Sequence, residues 1–364
     1  MNVFLIMNLC AFLLSLGVCY YFNVNLLPTK PRLWLPIAII LAGAYAISHA
    51  RLFNGAELLM QLCAWLGNTW LAVIFYALLL MLLHLLLVLA YKLSGHSFPY
   101  ASRLTSVGLI CIILFVSWGI YRAFTPDIRH ETIVTEKPLK KDLHVVFVSD
   151  LHFGHILDKA YSETLVERIN AQKPDLVLFG GDIVDEQLSY IKSNGSLDPL
   201  TKIKAPLGVF ACFGNHDYLS NQASEFIALL KTKNVQVLHG SSVILPHYGI
   251  KLSGLPDYSH DRDTNKLIAL APGNANYYSI MLDHQPRKIL PLRDAGYDLM
   301  LSGHTHTGQM WPWRYLIKRM YLLDYGRQEF GGLTAIVSNG YGFWGPPVRT
   351  GPKPEMVVID LQQK

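Results

Sequence analysis

The first third of the chain is almost free of charge, and this constrains the fold more than any other feature. Residues 1–121 carry only six charged side chains, which are Lys30, Arg32, Arg51, Glu57, Lys92 and Arg103. Four apolar stretches lie between or beside these charges, at 2–22, 33–50, 70–91 and 104–121. About 20 apolar residues in a helix cross the ~30 Å hydrocarbon layer of a bilayer. The sequence therefore predicts a transmembrane region over 1–121 with about four helices.

Two details of this region have alternative interpretations. A cleaved signal peptide is the alternative for residues 1–22, but the segment lacks a basic start and three more apolar stretches follow it. Residues 57–66 (ELLMQLCAWL) are too short to span a bilayer alone. They form either an interfacial helix or an N-terminal extension of the third span.

The loop charges bear on the orientation of this multi-pass region in the cell membrane. The first and third loops carry two basic residues each and the second carries one, which places both chain ends outside under the positive-inside rule. The basic residues that follow the last span favour the opposite orientation. They are Arg122, Arg129, Lys137, Lys140 and Lys141. Because long domains count less in this rule, the sequence favours an extracytoplasmic position for the rest of the chain.

The remaining 243 residues have the charge density of an ordinary soluble domain. Their 26 basic and 25 acidic residues nearly cancel and form no basic run, which argues against nucleic acid as a partner. Residues 122–142 are polar and contain Pro126 and Pro138, so they predict a linker with room for one strand at its middle. A second domain is predicted over 143–364.

The pattern of this second domain is that of an α/β fold. The run 144–148 (HVVFV) predicts a buried strand, 158–172 has helical spacing, and 176–179 (LVLF) predicts a second strand. Residues 207–213 predict another strand, and a helix is predicted near 222–231. The sequence from there to the end is rich in strand-forming residues.

Polar side chains follow these strands at the points where each strand ends. In an α/β sheet the residues just past the carboxyl ends of the strands meet at one crevice. The residues delivered there are Asp150, His152, Asp182, Asn215, His284, His304 and His306. Seven oxygen and nitrogen donors without a thiolate exceed the need of one ion. They suit two divalent ions of the Mn, Fe or Zn type that share a bridging carboxylate.

The order D-x-H, G-D, G-N-H-D, H and G-H-x-H resembles the signature of the calcineurin-like metallophosphoesterase family over about residues 143–360. Gly308-Gln309 and the tail motifs at 339–342, 347–349 and 354–356 resemble its membrane-associated branch, which includes transmembrane proteins with a metallophosphoesterase domain. The resemblance implies an α/β four-layer sandwich, with two sheets flanked by helices, and a metal-dependent phosphoesterase activity.

The resemblance also implies how the donors are shared between two ions. One ion would be held by Asp150, His152, Asp182 and His306. The other would be held by Asp182, Asn215, His284 and His304, with Asp182 bridging. The sequence departs from the family pattern at Asp217, where many members have Glu, and at Thr307, where Gly is common; both changes are conservative for metal binding.

This assignment leaves His216 without a ligand role. In the expected mechanism a metal-bridged hydroxide attacks a phosphate ester in line, while His216 protonates the leaving oxygen as general acid and Asp217 orients its imidazole. The alternative is that His216 only donates a hydrogen bond to the phosphate. His155 and Arg349 are candidate substrate contacts, for which an exposed loop position and an ordinary ion pair are the alternatives.

The sequence thus predicts a membrane-anchored phosphoesterase with membrane lipid as a partner. The expected substrate is a phosphodiester or pyrophosphate that is lipid-linked or belongs to the cell envelope. The alternative is a membrane transporter or scaffold with a regulatory, non-hydrolytic metal-binding domain. A transporter is disfavoured because the predicted spans contain no Asp, Glu, Lys or Arg, and His84 is the one histidine that lies well inside a span.

Overall fold

A computed structural model of the chain describes residues 3–27, 34–49, 57–218, 221–263, 270–271 and 276–364. The predicted span ends and loop cations outside these ranges are Asn2, Lys30, Arg32, Leu33, Ala50 and Arg51. The chain divides into a helical unit, which comprises the residues up to Tyr121 together with Gly345–Thr350, and an α/β unit, which comprises Arg122–Trp344 and Gly351–Lys364.

The N-terminal helices are α1 (Val3–Leu26), α2 (Trp34–His49), α3 (Glu57–Leu93) and α4 (Ala101–Ala123). Of the helices described, α1, α3 and α4 are long and apolar enough to cross a membrane, which indicates membrane association. Helix α2 has 16 residues, fewer than the roughly 20 that a span needs. Four spans therefore stay a prediction. Residues 57–66 are the N-terminal part of α3.

Polar contacts join parts of the helical unit. The hydroxyl of Tyr21 on α1 lies 3.0 Å from His84 Nδ1 on α3 and 3.1 Å from Thr105 Oγ1 on α4. His84 is thus bonded to a neighbouring helix. In the segment 345–350, the N–H of Arg349 donates to the carbonyl of Gly119 on α4 at 2.9 Å.

The α/β unit contains two six-stranded sheets. The strands of the first sheet are β1 (Asp127–Thr135), β2 (Leu143–Val148), β3 (Leu176–Phe179), β4 (Val209–Ala211), β5 (Val235–Val237) and β12 (Glu355–Gln363). Their order is β1-β12-β2-β3-β4-β5. Strand β1 lies in the segment predicted as a linker, where it pairs in parallel with β12.

The second sheet lies later in the chain. Its strands are β6 (Ser241–Leu245), β7 (Ile250–Gly254), β8 (Tyr278–Leu282), β9 (Leu299–Ser302), β10 (Gly326–Phe330) and β11 (Leu333–Val337). Their order is β10-β11-β9-β8-β7-β6. The helices of the unit are α5 (Lys159–Ala171), α6 (Leu188–Asn194), α7 (Ala223–Thr232), α8 (Ile289–Asp294) and α9 (Arg314–Met320).

The alternation of side chains along the strands builds four layers. On β2, Phe147 faces a core shared with β8 and β9 of the other sheet, whereas Val148 faces a core shared with α5 and α7. On the far side of the second sheet, Met300 of β9 packs with Leu292 of α8. The order helix, sheet, sheet, helix confirms the predicted four-layer α/β sandwich.

Parallel pairing determines where the loops meet. Strands β2, β3, β4 and β5 run parallel to one another, as do β7, β8, β9 and β11 in the second sheet. The carboxyl ends of neighbouring parallel strands lie at the same edge of a sheet. The polar residues that follow these strands are therefore collected at one edge of each sheet.

Candidate metal centre

Two loops at the edge of the first sheet are bonded directly to each other. Asp150 and His152 follow β2, and Asp182 follows the neighbouring strand β3. The N–H of Asp150 donates to the carbonyl of Gly181 at 2.9 Å, and the N–H of His152 donates to the carbonyl of Asp182 at 3.0 Å. The backbone thus fixes the spacing of these three side chains.

The loops of the second sheet are joined to the same place. His284 follows β8, and His304 and His306 follow β9. The N–H of Gly303 donates to the carbonyl of His284 at 3.0 Å. The N–H of His304 donates to both carboxylate oxygens of Asp150, at 3.0 and 3.1 Å. A buried Asp150 carboxylate therefore links the two sheets at the site.

The side chains form clusters whose ligand atoms lie within 4.8 Å of one another. The clusters found among the described residues are Asp150, His152 and His306; His152, Asp182 and His216; and Asp182, His284 and His304. Because clusters share Asp182 and His152, they form one continuous centre. Six of the seven predicted metal ligands belong to it.

The seventh predicted ligand, Asn215, stands beside this centre in sequence. Its Oδ1 atom is buried and lacks a hydrogen-bond partner in the structure. The next residue, His216, donates its backbone N–H to Asp182 Oδ1 at 2.8 Å. A buried amide oxygen without a partner costs free energy unless a cation or water satisfies it.

The donor set fits divalent cations. The Nε2 atoms of His152 and His306 lie 3.0 Å apart. The other ring nitrogen of His152, Nδ1, lies 2.7 Å from Asp185 Oδ1. An ionised carboxylate only accepts, so this Nδ1 carries the hydrogen and Nε2 presents a lone pair. The Nδ1 atom of His284 likewise donates to the carbonyl of Gly180 at 2.8 Å, while its Nε2 faces Asp182 Oδ2 at 3.1 Å. Burial opposes the charged form of His284, but the carboxylate of Asp182 outweighs it and raises the pKa of this ring.

Electrostatics supports neutral imidazole at one position of this set. Burial lowers the pKa of His304 to about 3, with further lowering by the neighbouring His284. The ring of His304 is therefore uncharged at neutral pH, and neutral imidazole is the form that binds metal.

Backbone strain is concentrated in the same residues. Five predicted ligands have left-handed φ angles: Asp150 (55°), His152 (48°), Asp182 (51°), His304 (72°) and His306 (45°). Such conformations cost about 1–3 kcal/mol each and persist where surrounding structure enforces them, chiefly at functional sites. Glycines make the close approach of the loops possible, because a Cβ on Gly214 would overlap Asp182 Oδ1 and a Cβ on Gly303 would overlap Asp150 Oδ2.

The imidazole of His216 is paired with a carboxylate that sequence reasoning did not single out. His216 Nδ1 lies 2.7 Å from Asp185 Oδ1. Burial opposes the charged form of His216, but the carboxylates of Asp185 and Asp182 outweigh it and raise its pKa to about 9. The ring is therefore protonated at neutral pH and is able to donate a proton.

Asp217, expected to orient His216, is engaged by the backbone. Its Oδ1 accepts from the N–H groups of Ile183 and Val184 at 2.8 and 3.2 Å, and its Oδ2 accepts from the N–H of Gly214 at 2.8 Å. The side chain is fully buried. Asp217 thus ties the loop after β4 to the loop after β3. Asp185 was not among the predicted site residues. The one feature of the sequence that could have indicated it is its position three residues after Asp182.

The two candidate substrate contacts are not members of these clusters. His155 is buried, with its ring centroid 4.1 Å from that of Tyr190 and its Nε2 atom 3.7 Å from Glu186 Oε1. Arg349 is fully buried and belongs to the segment grouped with the helical unit.

Two residues outside the predicted set are linked to His216. The ring centroid of Trp344 lies 5.7 Å from that of His216. The side-chain amide of Gln309 donates to the carbonyl of Trp344 at 3.0 Å and accepts from its N–H at 3.2 Å. Gln309 is part of a motif that carries the family resemblance, whereas no feature of the sequence indicated Trp344.

The tail motif at 339–342 supports the first ligand loop. The N–H of Tyr341 donates to the carbonyl of Ser149, and the N–H of Gly342 donates to the carbonyl of Asp150. Gly340 has a φ angle of 84°, and a Cβ there would lie 2.8 Å from the Asp150 Cβ and 3.2 Å from His306 Nδ1. Only glycine fits this position without moving two predicted ligands.

A four-layer α/β fold that collects histidine and aspartate at its strand ends is suited to binding metal ions, and sequence comparison identifies the class of enzyme. Residues 143–308 match the model of the calcineurin-like phosphoesterase family. An uncharacterized metallophosphoesterase from Helicobacter pylori is 34% identical over 71% of this chain and 70% of its own length. A transmembrane protein with metallophosphoesterase domain from Bos taurus is 28% identical over 98% of this chain and 80% of its own length.

Among solved structures, TT1561 of Thermus thermophilus aligns with 54% of this chain and 89% of its own, with a TM-score of 0.35 at 11% identity. The sequence relatives show that the chain belongs to the calcineurin-like phosphoesterase family. It is a metal-dependent hydrolase of phosphoric esters, as the sequence predicted.

Proposed function

We propose that the chain is a membrane-anchored phosphoesterase with a dinuclear centre, in which residues 1–121 anchor a catalytic domain over 143–364. The observation that carries the proposal is the sharing of Asp182 between two clusters, one with His152 and His216 and the other with His284 and His304. One carboxylate placed between two sets of donors is the arrangement that a bridging ligand requires.

The first ion would be held by Asp150, His152, Asp182 and His306, and the second by Asp182, Asn215, His284 and His304. When bound, two divalent ions balance the charge of phosphoryl oxygens and lower the pKa of water to near neutrality. The Mn, Fe and Zn ions all suit these nitrogen and oxygen donors.

His216 is the proposed general acid. The carboxylates of Asp185 and Asp182 raise its pKa, which favours the protonated form, and Asp185 Oδ1 lies 2.7 Å from its Nδ1 atom. A proton delivered to the leaving oxygen removes the need to expel an alkoxide, which is the difficult part of hydrolysing an ester with a poor leaving group. Asp217 holds the loop that carries His216.

The proposed substrate class is a phosphodiester or pyrophosphate at the membrane, such as a lipid-linked or envelope component. The support is the combination of a phosphoesterase domain with three helices long enough to span a bilayer. The relative from Bos taurus is itself named a transmembrane protein with metallophosphoesterase domain. An anchor of this kind keeps a catalytic domain close to substrates that cannot leave the lipid phase.

The activity is tested with the full-length chain purified in detergent, stripped of metal and reloaded with Mn, Fe or Zn. Hydrolysis of bis-p-nitrophenyl phosphate, p-nitrophenyl phosphate and a lipid pyrophosphate is measured together with bound metal by mass spectrometry. We expect two ions per chain and hydrolysis of at least one ester. Full activity with a single bound ion, or no hydrolysis of any ester, would contradict the proposal.

The Asp182→Ala variant is expected to lose both metal binding and activity because it removes the shared ligand. Asp198→Ala is the matched control, since Asp198 is an exposed aspartate that pairs with Lys233. It is expected to keep two ions and full activity. If Asp182→Ala also keeps both, the ligand assignment is wrong.

We propose an extracytoplasmic position for the catalytic domain, which rests on the charges of the loops between the apolar stretches. A fusion of alkaline phosphatase or a fluorescent protein to the C-terminus tests the orientation. Phosphatase activity without fluorescence is the expected result, and fluorescence without phosphatase activity would reverse the assignment.

A further inference from the structure

The segment that follows the metal-binding loop after β9 exposes an unusual number of large apolar side chains. They are Trp311, Trp313, Tyr315, Leu316, Met320 and Leu322. Exposure reaches 50% for Trp311, 65% for Tyr315 and 57% for Leu322. Together with the exposed Arg314, Lys318 and Arg319, these residues are named here the aromatic-basic patch.

The helix at the centre of the patch has no buried face. Helix α9 has seven residues, and none of them is buried. Helices of this length are marginal in water without tertiary packing. A contiguous exposed apolar surface on a folded domain marks a site of interaction. The patch is therefore expected to be covered by something other than water.

The charges of the patch select the partner. No Asp or Glu occurs between Ser302 and Asp324. None of the ion pairs among the described residues involves Arg314, Lys318 or Arg319. Tryptophan and tyrosine interleaved with lysine and arginine are typical of segments at a lipid–water interface, where cations meet anionic headgroups.

We propose that the aromatic-basic patch docks on the surface of an anionic phospholipid bilayer. The aromatic rings of Trp311, Trp313 and Tyr315 enter the headgroup region, and the three cations contact lipid phosphates. A bilayer is available because the same chain carries three helices that are long and apolar enough to cross one. Charge complementarity favours anionic lipid over an uncharged protein surface.

The docking surface adjoins the metal centre. The turn His306–Gly308 ends three residues before Trp311, and the ring centroid of Tyr321 lies 6.2 Å from that of His304. A docked patch would hold the loop that carries these histidines at the level of lipid headgroups. This consequence for substrate access rests on the proposed function, whereas docking itself does not.

Hydrogen–deuterium exchange of the full-length protein in lipid nanodiscs tests the docking without any measurement of activity. Nanodiscs of phosphatidylcholine alone are compared with nanodiscs of phosphatidylcholine and phosphatidylglycerol. We expect amides of residues 314–322 to exchange at least about tenfold more slowly in the anionic nanodiscs. Amides of β6 (Ser241–Leu245), which carries the exposed Ile244, are expected to exchange equally in both.

Charge reversal separates lipid docking from other causes of protection. Lys318→Glu combined with Arg319→Glu is expected to abolish the dependence on phosphatidylglycerol. Lys202→Glu combined with Lys231→Glu changes the net charge equally at exposed positions outside the patch and is expected to preserve it. The proposal would be overturned if residues 314–322, like β6, exchanged at the same rate in both kinds of nanodisc. It would also be overturned if their protection rose with protein concentration.

Discussion

One carboxylate oxygen, Asp185 Oδ1, lies 2.7 Å from the Nδ1 atoms of both His152 and His216. It therefore connects a predicted metal ligand to the proposed general acid. Burial opposes ionisation of Asp185, but the two imidazoles hold its pKa below the usual range, so the group stays charged. A single side chain, that of Asp185, thus contacts both a predicted metal ligand and the proposed proton donor.

Replacing Asp185 should impair both roles. Asp185→Asn is expected to lower kcat by roughly 10- to 100-fold and to weaken metal affinity, because carboxylates that orient ligand histidines typically contribute this much. The measurements are steady-state kinetics and metal titration of the full-length enzyme. The control is Glu186→Gln, which removes the neighbouring carboxylate whose partner is His155. Equal effects of the two substitutions would contradict the assignment.

The role of His216 can be tested by comparing substrates whose leaving groups differ in their need for a proton. His216→Ala is expected to slow hydrolysis of an alkyl ester by about 10²- to 10⁴-fold, and hydrolysis of a p-nitrophenyl ester much less, because p-nitrophenolate leaves without a proton. The measurement is kcat for both esters with wild type and variant. An equal loss for both would favour the alternative that His216 only binds the phosphate.

Asp217 should matter for stability more than for chemistry. Asp217→Asn places an amide donor against one of three backbone N–H groups that the carboxylate now satisfies. The cost is about 1–3 kcal/mol, which corresponds to a fall in apparent Tm of roughly 2–12 °C. Thermal unfolding in detergent measures this change, and Asp198→Asn is the exposed control. A variant with unchanged Tm but much lower kcat would instead support the expectation that Asp217 orients the imidazole of His216.

Gly340 and Gly296 form a matched pair for testing the tail motif. Both have left-handed backbones, with φ angles of 84° and 82°. A Cβ at Gly340 meets Asp150 and His306, whereas a Cβ at Gly296 meets nothing within 4 Å. Both alanine variants should lose about 1–2 kcal/mol from the backbone conformation.

Only Gly340→Ala should also weaken metal binding and lower kcat, because it displaces two predicted ligands. Metal titration and kinetics on the two purified variants distinguish the effects. Similar metal affinity in both would mean that the loop at Asp150 tolerates the methyl group.

The sequence pattern identified β2, β3 and β4 of the first sheet because buried strands are read from short local runs. The predicted strand at 176–179 matches β3, and the predicted helix at 158–172 contains α5. The polar residues at the strand ends were readable for the same reason, since each motif is continuous in sequence. Parallel strand order then brings them together without further information.

The contacts of the linker and of the tail were harder to predict from the sequence. Strand β1 forms at the middle of the predicted linker because β12, about 230 residues later, offers it a parallel partner. Arg349, a candidate substrate contact, bonds through its backbone N–H to the carbonyl of Gly119 in the helical unit. Such pairings join residues far apart in sequence, so local periodicity does not contain them.

By itself, the sequence determined the division into an apolar helical part and an α/β part, the family, and the residues offered as metal ligands. These features depend on hydrophobic pattern and on motifs a few residues long. Only the tertiary structure decided that Asp185 faces His216 while Asp217 binds backbone, and that α9 has no buried face. The direction of a side chain depends on left-handed turns such as that at Asp182, and on packing between distant segments, which the order of residues does not display.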